Sequence, residues 1–151
     1  MTRRARAGAA LAVTLGLAAT PRLAAAQDLA CPDTTGVQAA LNECAALDFA
    51  EADDALNAVW GDVRAWAEDM DARNEREGFA SEGGLMPIAW LTLEAQRGWL
   101  ALRDGQCAAE AAWESGGSMW PMIFDGCRAR LTRERTQELR DLITPPSGIA
   151  P

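Results

Sequence analysis

Ala95-Gln96-Arg97-Gly98-Trp99-Leu100-Ala101-Leu102-Arg103-Asp104-Gly105-Gln106-Cys107 reads as the middle of a central helix. At about 100° per residue, Ile88, Leu91, Leu93, Ala95, Trp99, Leu100 and Leu102 spread over an arc of roughly 200°, wider than one neighbouring helix needs. The arc predicts cover on two sides. Gln96, Arg103 and Cys107 fall inside it, whereas Trp90, Glu94, Arg97, Ala101 and Asp104 fall on the remaining face. Gln96 and Arg103 are thereby committed to an interior and need partners there, because an unpaired buried guanidinium is very costly.

Working outward, a helical pattern runs upstream from Thr34 or Thr35, as N-caps, to about Arg73. Leu41, Ala45, Phe49, Ala52, Leu56, Val59, Trp60, Val63, Ala67 and Met70 share one face of it. Cys44 and Leu47 lie off that stripe, where the segment from Leu29 to Pro32 is expected to cover them. Residues 74–84, with Gly78, Gly83 and Gly84, have no period and read as a mobile loop. The central helix is expected from about Met86 or Pro87 to Trp113. Gly116-Gly117 ends it and Ser118 caps a third helix, with Pro121 tolerated in the first turn and Trp120, Phe124, Cys127, Leu131, Leu139 and Leu142 as its buried stripe. Thr144-Pro145-Pro146 stops that helix before a disordered tail, residues 144–151. The fold class is all-α, a three-helix antiparallel arrangement with long helices, in one domain over residues 27–143.

Residues 1–26 read as an export leader. Arg3, Arg4 and Arg6 form its basic start, Ala9 to Ala19 an apolar stretch too short to span a bilayer, and Ala24-Ala25-Ala26 a small-residue cleavage site, so the mature chain is expected to begin at Gln27. The location is then periplasmic or secreted, with no membrane insertion after leader removal. The whole chain carries 14 basic and 22 acidic residues, a net −8. The leader takes four arginines and no acid, which leaves ten against 22, a net −12 for the mature domain. Such a balance argues against nucleic acid and favours a cationic protein partner or plain solubility. With no histidine and no lysine, imidazole-based zinc ligation, histidine base chemistry and Schiff-base chemistry are absent, and no cofactor is expected.

Four cysteines in an exported chain of this size read as two disulfides. In a helix hairpin turning at Gly116-Gly117, residues equally far from the turn come side by side, which pairs Cys107 with Cys127. Cys31 and Cys44 are left to pin the N-terminal segment onto the first helix, and no Cys-x-x-Cys spacing points to redox chemistry.

The pattern Gln96-Arg97-x-Trp99-x-x-x-Arg103-Asp104-x-x-Cys107 resembles the signature of the LprI-like lysozyme-inhibitor family, a group of small exported helical domains. Asp53-x-x-Leu56-Asn57-x-x-Trp60 precedes it, with Trp60 where family members often carry Tyr. Gly116-Gly117-Ser118 and Cys127-x-x-x-Leu131-Thr132-x-x-Arg135 follow in order. Together these pieces span the chain from Cys31 to Leu142. The resemblance implies a helical fold and an exported location, with lysozyme inhibition shown for few members.

The helical wheels place Arg103 and Arg135 on apolar stripes, and Asp53 and Asn57 at the margin of the first helix's stripe. With Gln96 and Thr132 they are expected to form a polar network that fixes helix register. Catalysis is not expected, since nothing nucleophilic accompanies Asp53. Glu51, Asp54, Asp62 and Asp69 line the solvent face of the first helix, either as a solvated surface or as a docking stripe for a cationic protein such as lysozyme. Trp90 stands on the polar face of the central helix, with Trp113 and Trp120 flanking the turn, and Trp90 is the first candidate for a partner-binding anchor. Two functional classes remain: an exported non-catalytic inhibitor of a lysozyme-type cell-wall hydrolase, and a structural or envelope-interaction domain that does not inhibit lysozyme.

Overall fold

The structure, a computed structural model, describes residues 37–79 and 86–144. Three helices account for most of them: α1 (Gln38–Arg76), α2 (Ile88–Glu110) and α3 (Trp120–Ile143), with a short 3-10 helix at Ala111–Glu114 between the last two. No strand occurs among the described residues. The expected leader, Cys31 and residues 145–151 of the expected tail lie outside them, as do residues 80–84 of the expected loop and the threonines expected to cap α1.

Cross-links between side chains give the topology. Asp53 meets Arg103, and Asp71 meets the start of α2, so α1 and α2 are antiparallel. Cys107 is bonded to Cys127 and Gln96 meets Arg135, so α2 and α3 are antiparallel as well. It follows that α1 and α3 run parallel, from Gln38 beside Met122, through Asp48 beside Arg133, to Leu139 in the core. That core is Leu56, Val59, Val63 and Leu139, with Trp60, Trp99 and Ile143 packed against it. Further along the seam α3 buries small residues, Ala129, Thr132 and Thr136, which let α1 approach closely. The Thr136 hydroxyl donates to the Thr132 carbonyl at 2.7 Å, so its burial leaves no polar group unmet.

Several expectations need correction. α2 does meet both α1 and α3, but the expected arc is not buried across its width. Leu91 and Leu102 are 48% and 59% exposed, and Ala95 and Leu100 are exposed too, while the fully buried α2 side chains are Gln96, Arg103 and Cys107. The long seam belongs to α1 and α3, and α2 lies along one side of that pair, presenting its polar strip together with Trp99. Apolar spacing measures how wide a face could be buried, but the partners Arg103 requires decide which part of it is. On α3 Leu142 is likewise exposed, not part of a buried stripe.

The helix ends differ as well. α1 runs three residues past Arg73, with Arg73 and Arg76 in the last turn beside the negative end of the helix dipole. Its N-cap is Val37, without a side-chain cap bond. α2 gives way to the 3-10 turn at Ala111, and α3 is capped by Met119, not Ser118. Pro121 does fall in the first turn of α3, where its missing N–H costs nothing. The cap of α2 comes from a distance: the Asp71 carboxylate on α1 accepts from Ile88 N at 2.7 Å and from Ala89 N at 2.9 Å.

Of the two expected disulfides, one is complete among the described residues, Cys107–Cys127, with Cα atoms 5.5 Å apart. The expected Cys31–Cys44 partnership falls outside them at Cys31, and Cys44 is not a free thiol. No helix among the described residues is long and apolar enough to cross a membrane.

Candidate functional site

Arg103 is the hub of the interior polar network. Its Nε donates to Asp104 Oδ1 at 2.8 Å, and its Nη1 donates to Asp53 Oδ1 and to Thr132 Oγ1, each at 3.3 Å. The guanidinium also lies 5.2 Å from the ring centroids of Phe49 and Trp99. All three helices therefore converge on one cation. Asn57 Nδ2 donates to the other Asp53 oxygen at 3.1 Å, which orients that carboxylate. Gln96 Oε1 accepts from Arg135 Nε at 3.1 Å, and Arg135 pairs with Glu138 at 2.8 Å while its guanidinium lies 5.9 Å from the Trp99 ring. Trp99 thus stands between two arginines and joins the two halves of the network. The six residues read from sequence, Asp53, Asn57, Gln96, Arg103, Thr132 and Arg135, are brought together.

Sequence reasoning missed Asp104, which the wheel sets on the outer face. A side chain at the edge of a buried strip can still reach its chain neighbour's Nε. It also missed a second stack, in which the Arg128 guanidinium lies 3.6 Å from the Phe49 ring centroid and 4.7 Å from that of Phe124, with Asp125 at 3.0 Å. Phe49 is shared by Arg103 and Arg128, so the arginine–aromatic contacts run from α2 across α1 to α3. Desolvated contacts of this kind contribute about 1–2 kcal/mol each. The arrangement ties α1, α2 and α3 together, and among the described residues no cluster of acidic or cysteine side chains gathers to hold a metal ion.

The solvent face of α1 does carry Glu51, Asp54, Asp62 and Asp69, all exposed. Two are partly neutralised. Asp69 pairs with Arg73 at 3.3 Å, and Glu51 lies close enough to Arg133 to act on its charge. Arg133 is held above its ordinary pKa chiefly by its hydrogen bond to Asp48, against the opposing effect of burial, with the charges of Asp48 and Glu51 adding. Asp54 and Asp62 have no ion-pair partner among the described residues and remain open acidic positions.

Trp90 is 46% exposed, and it does not stand alone. With Leu93, Ala89 and Thr92 it forms one wall of an open groove of about 350 Å³, whose other wall is Trp60, Arg64 and Glu68 of α1. That groove lies about 130° around α1 from the acidic stripe. The acidic residues and Trp90 therefore do not share a face.

The comparisons with known proteins bear on the same span. The family described as Lysozyme inhibitor LprI matches residues 30–139, which include α1, α2 and nearly all of α3 with every member of the Arg103 network. An uncharacterized protein of Rhizobium meliloti (strain 1021) is 40% identical over 103 residues, 68% of this chain and 71% of that protein. No solved structure matches. A match over this much of the chain, reaching from before the first helix to the last turn of the third, places it: the chain belongs to the LprI lysozyme-inhibitor family.

Proposed function

We propose that this chain is an exported, non-catalytic binding protein that inhibits a lysozyme-type cell-wall hydrolase. The observation that carries the reading is the family match over residues 30–139. Export rests on the basic and apolar character of residues 1–26, with the mature domain starting at Gln27, and the second bridge, Cys31 to Cys44, closes its N-terminal segment. A periplasmic or secreted site fits two disulfides, since both form only where the surroundings oxidise thiols.

The surface supports the reading through charge. A mature net charge of −12 draws cationic proteins, and Asp54 and Asp62, with Glu51 and Asp69 beside them, are the part of α1 that meets an approaching partner first. Rim charges of this kind raise the rate of encounter more than the lifetime of the complex. The lifetime needs a desolvated anchor, and an exposed tryptophan supplies one.

The test is a cell-wall clearing assay with the mature domain at tens of micromolar and physiological salt, alongside association kinetics on immobilised lysozyme. Inhibition is expected. Changing Glu51, Asp54, Asp62 and Asp69 to their amides should slow association and flatten its salt dependence without altering the fold. Clearing that proceeds unchanged in the presence of the wild-type domain rejects inhibition of that lysozyme and leaves the envelope-interaction class.

A further inference from the structure

The α2–α3 turn carries a large aromatic side chain that the fold does not use. Trp113 sits on the 3-10 helix Ala111–Glu114 and is 95% exposed, although Ala111, two residues earlier, is completely buried. The turn beneath it is tied down on every side. Cys107–Cys127 closes its base, and Asn42 of α1 donates from Nδ2 to the Ser118 carbonyl at 3.0 Å. Gly116 takes a φ of +80°, and Gly117 N–H donates to the Glu114 carbonyl at 2.8 Å. A Cβ at Gly117 would lie 3.1 Å from that carbonyl oxygen and 3.2 Å from Glu114 Oε2, so a side chain there would require Glu114 to shift by a few tenths of an ångström.

An indole has only two side-chain torsions, so on a fixed backbone it loses less freedom on binding than a long flexible side chain would. Next to it, Glu114 has no ion-pair partner among the described residues, whereas Glu110 is held at 3.0 Å by Arg130. The tip therefore offers one apolar anchor and, beside it, one partly exposed carboxylate without an ion-pair partner among the described residues. At 95% exposure the Trp113 ring can be buried only if the partner supplies a recess for it.

We infer that Trp113, at this tip, is the residue that enters the partner, and that the surface it enters is a protein cleft with an apolar floor and a cationic rim. On the inhibitor reading, on which the assignment rests, that cleft is the saccharide-binding cleft of the hydrolase, whose floor is shaped for the apolar faces of sugar rings. Trp90 and Trp113 stand at opposite ends of α2 and its extension, roughly 35 Å apart at 1.5 Å per residue. One cleft does not take both. Trp90 is a groove wall beside Trp60, whereas Trp113 stands clear of the body.

The experiment uses the mature chain, wild type and the variants Trp113→Ala, Trp90→Ala and Glu114→Gln, on an immobilised C-type lysozyme, with tri-N-acetylglucosamine as a competitor for the cleft. Trp113→Ala should weaken binding about thirtyfold or more, mainly by faster dissociation, with melting temperature and helical content unchanged. Glu114→Gln should slow association, Trp90→Ala should bind nearly as wild type does, and the trisaccharide should displace the complex. A wild-type complex that ignores the trisaccharide, or that survives Trp113→Ala, overturns the tip assignment and leaves the inhibitor reading standing. A wild-type domain that does not bind the enzyme at physiological salt overturns both.

Discussion

Asp53 on α1 accepts a hydrogen bond at 3.3 Å from Arg103 on α2, fifty positions further along the chain. The buried cation does not depend on Asp53 alone, because Asp104 holds the other edge of the guanidinium at 2.8 Å. Asp53→Asn and Asp104→Asn should each cost about 1 kcal/mol or less, since each carboxylate is partly open to solvent and the other remains in place. Together they should cost about 3 kcal/mol, more than their sum, because the buried cation then keeps only neutral acceptors. Urea unfolding of the four members of the cycle measures the excess, and strict additivity would show that the two acids do not share the cation.

The remote cap of α2 is open to a similar test. Asp71→Ala removes the acceptor for two N–H groups at once, and its expected cost is about 1–2 kcal/mol, with Asp71→Asn recovering part of it. Hydrogen exchange at Ile88 and Ala89 should accelerate ahead of the rest of α2. Uniform acceleration along the helix would contradict a local capping role.

Burial on α2 makes a prediction that hydropathy alone would reverse. Leu102→Ser should change stability by less than about 0.5 kcal/mol, as surface substitutions do, because the side chain is 59% exposed. Leu139→Ala, in the core, should cost about 3 kcal/mol through lost burial and the cavity it leaves. Comparable losses from the two would place α2 deeper than it lies.

Non-reduced peptide mapping of the mature chain should return a Cys107–Cys127 peptide and a Cys31–Cys44 peptide. Loss of the Cys107–Cys127 bridge, which spans 20 positions, should cost about 3 kcal/mol by loop-entropy reasoning. A Cys31–Cys107 or Cys31–Cys127 peptide would contradict the pairing.

Three helices, their order and the hairpin partners Cys107 and Cys127 were legible because helical period and a glycine turn are local signals. The commitment of Gln96 and Arg103 to the interior was legible too, since both sit among apolar neighbours at helical spacing. What the spacing left open was direction. Leu91 and Leu102 look as buried as Trp99 on a wheel, and only the positions of Asp53, Thr132 and the rings of Phe49 and Trp99 decide that the polar strip faces inward. The Asp71 cap was hidden for another reason: a capping residue is sought next to the helix it caps, and this one lies 17 positions upstream of Ile88. Trp113 was visible as a turn-flanking tryptophan, but its exposure depends on how the 3-10 turn leaves α2.

The parallel seam of α1 and α3 has a consequence for the order of events in folding. Leu56, Val59 and Val63 find Leu139 some 80 positions away, so the core cannot close until the C-terminal end of the chain is present. α1 can gain and lose helical turns within about a microsecond on its own, but contacts of such long range are slow to find. If the chain is threaded unfolded out of the cell, its last segment must emerge before Leu56, Val59 and Val63 of α1 meet Leu139. The interval between emergence of α1 and arrival of α3 is then the window in which the protein is most exposed to proteases and to wrong cysteine pairing.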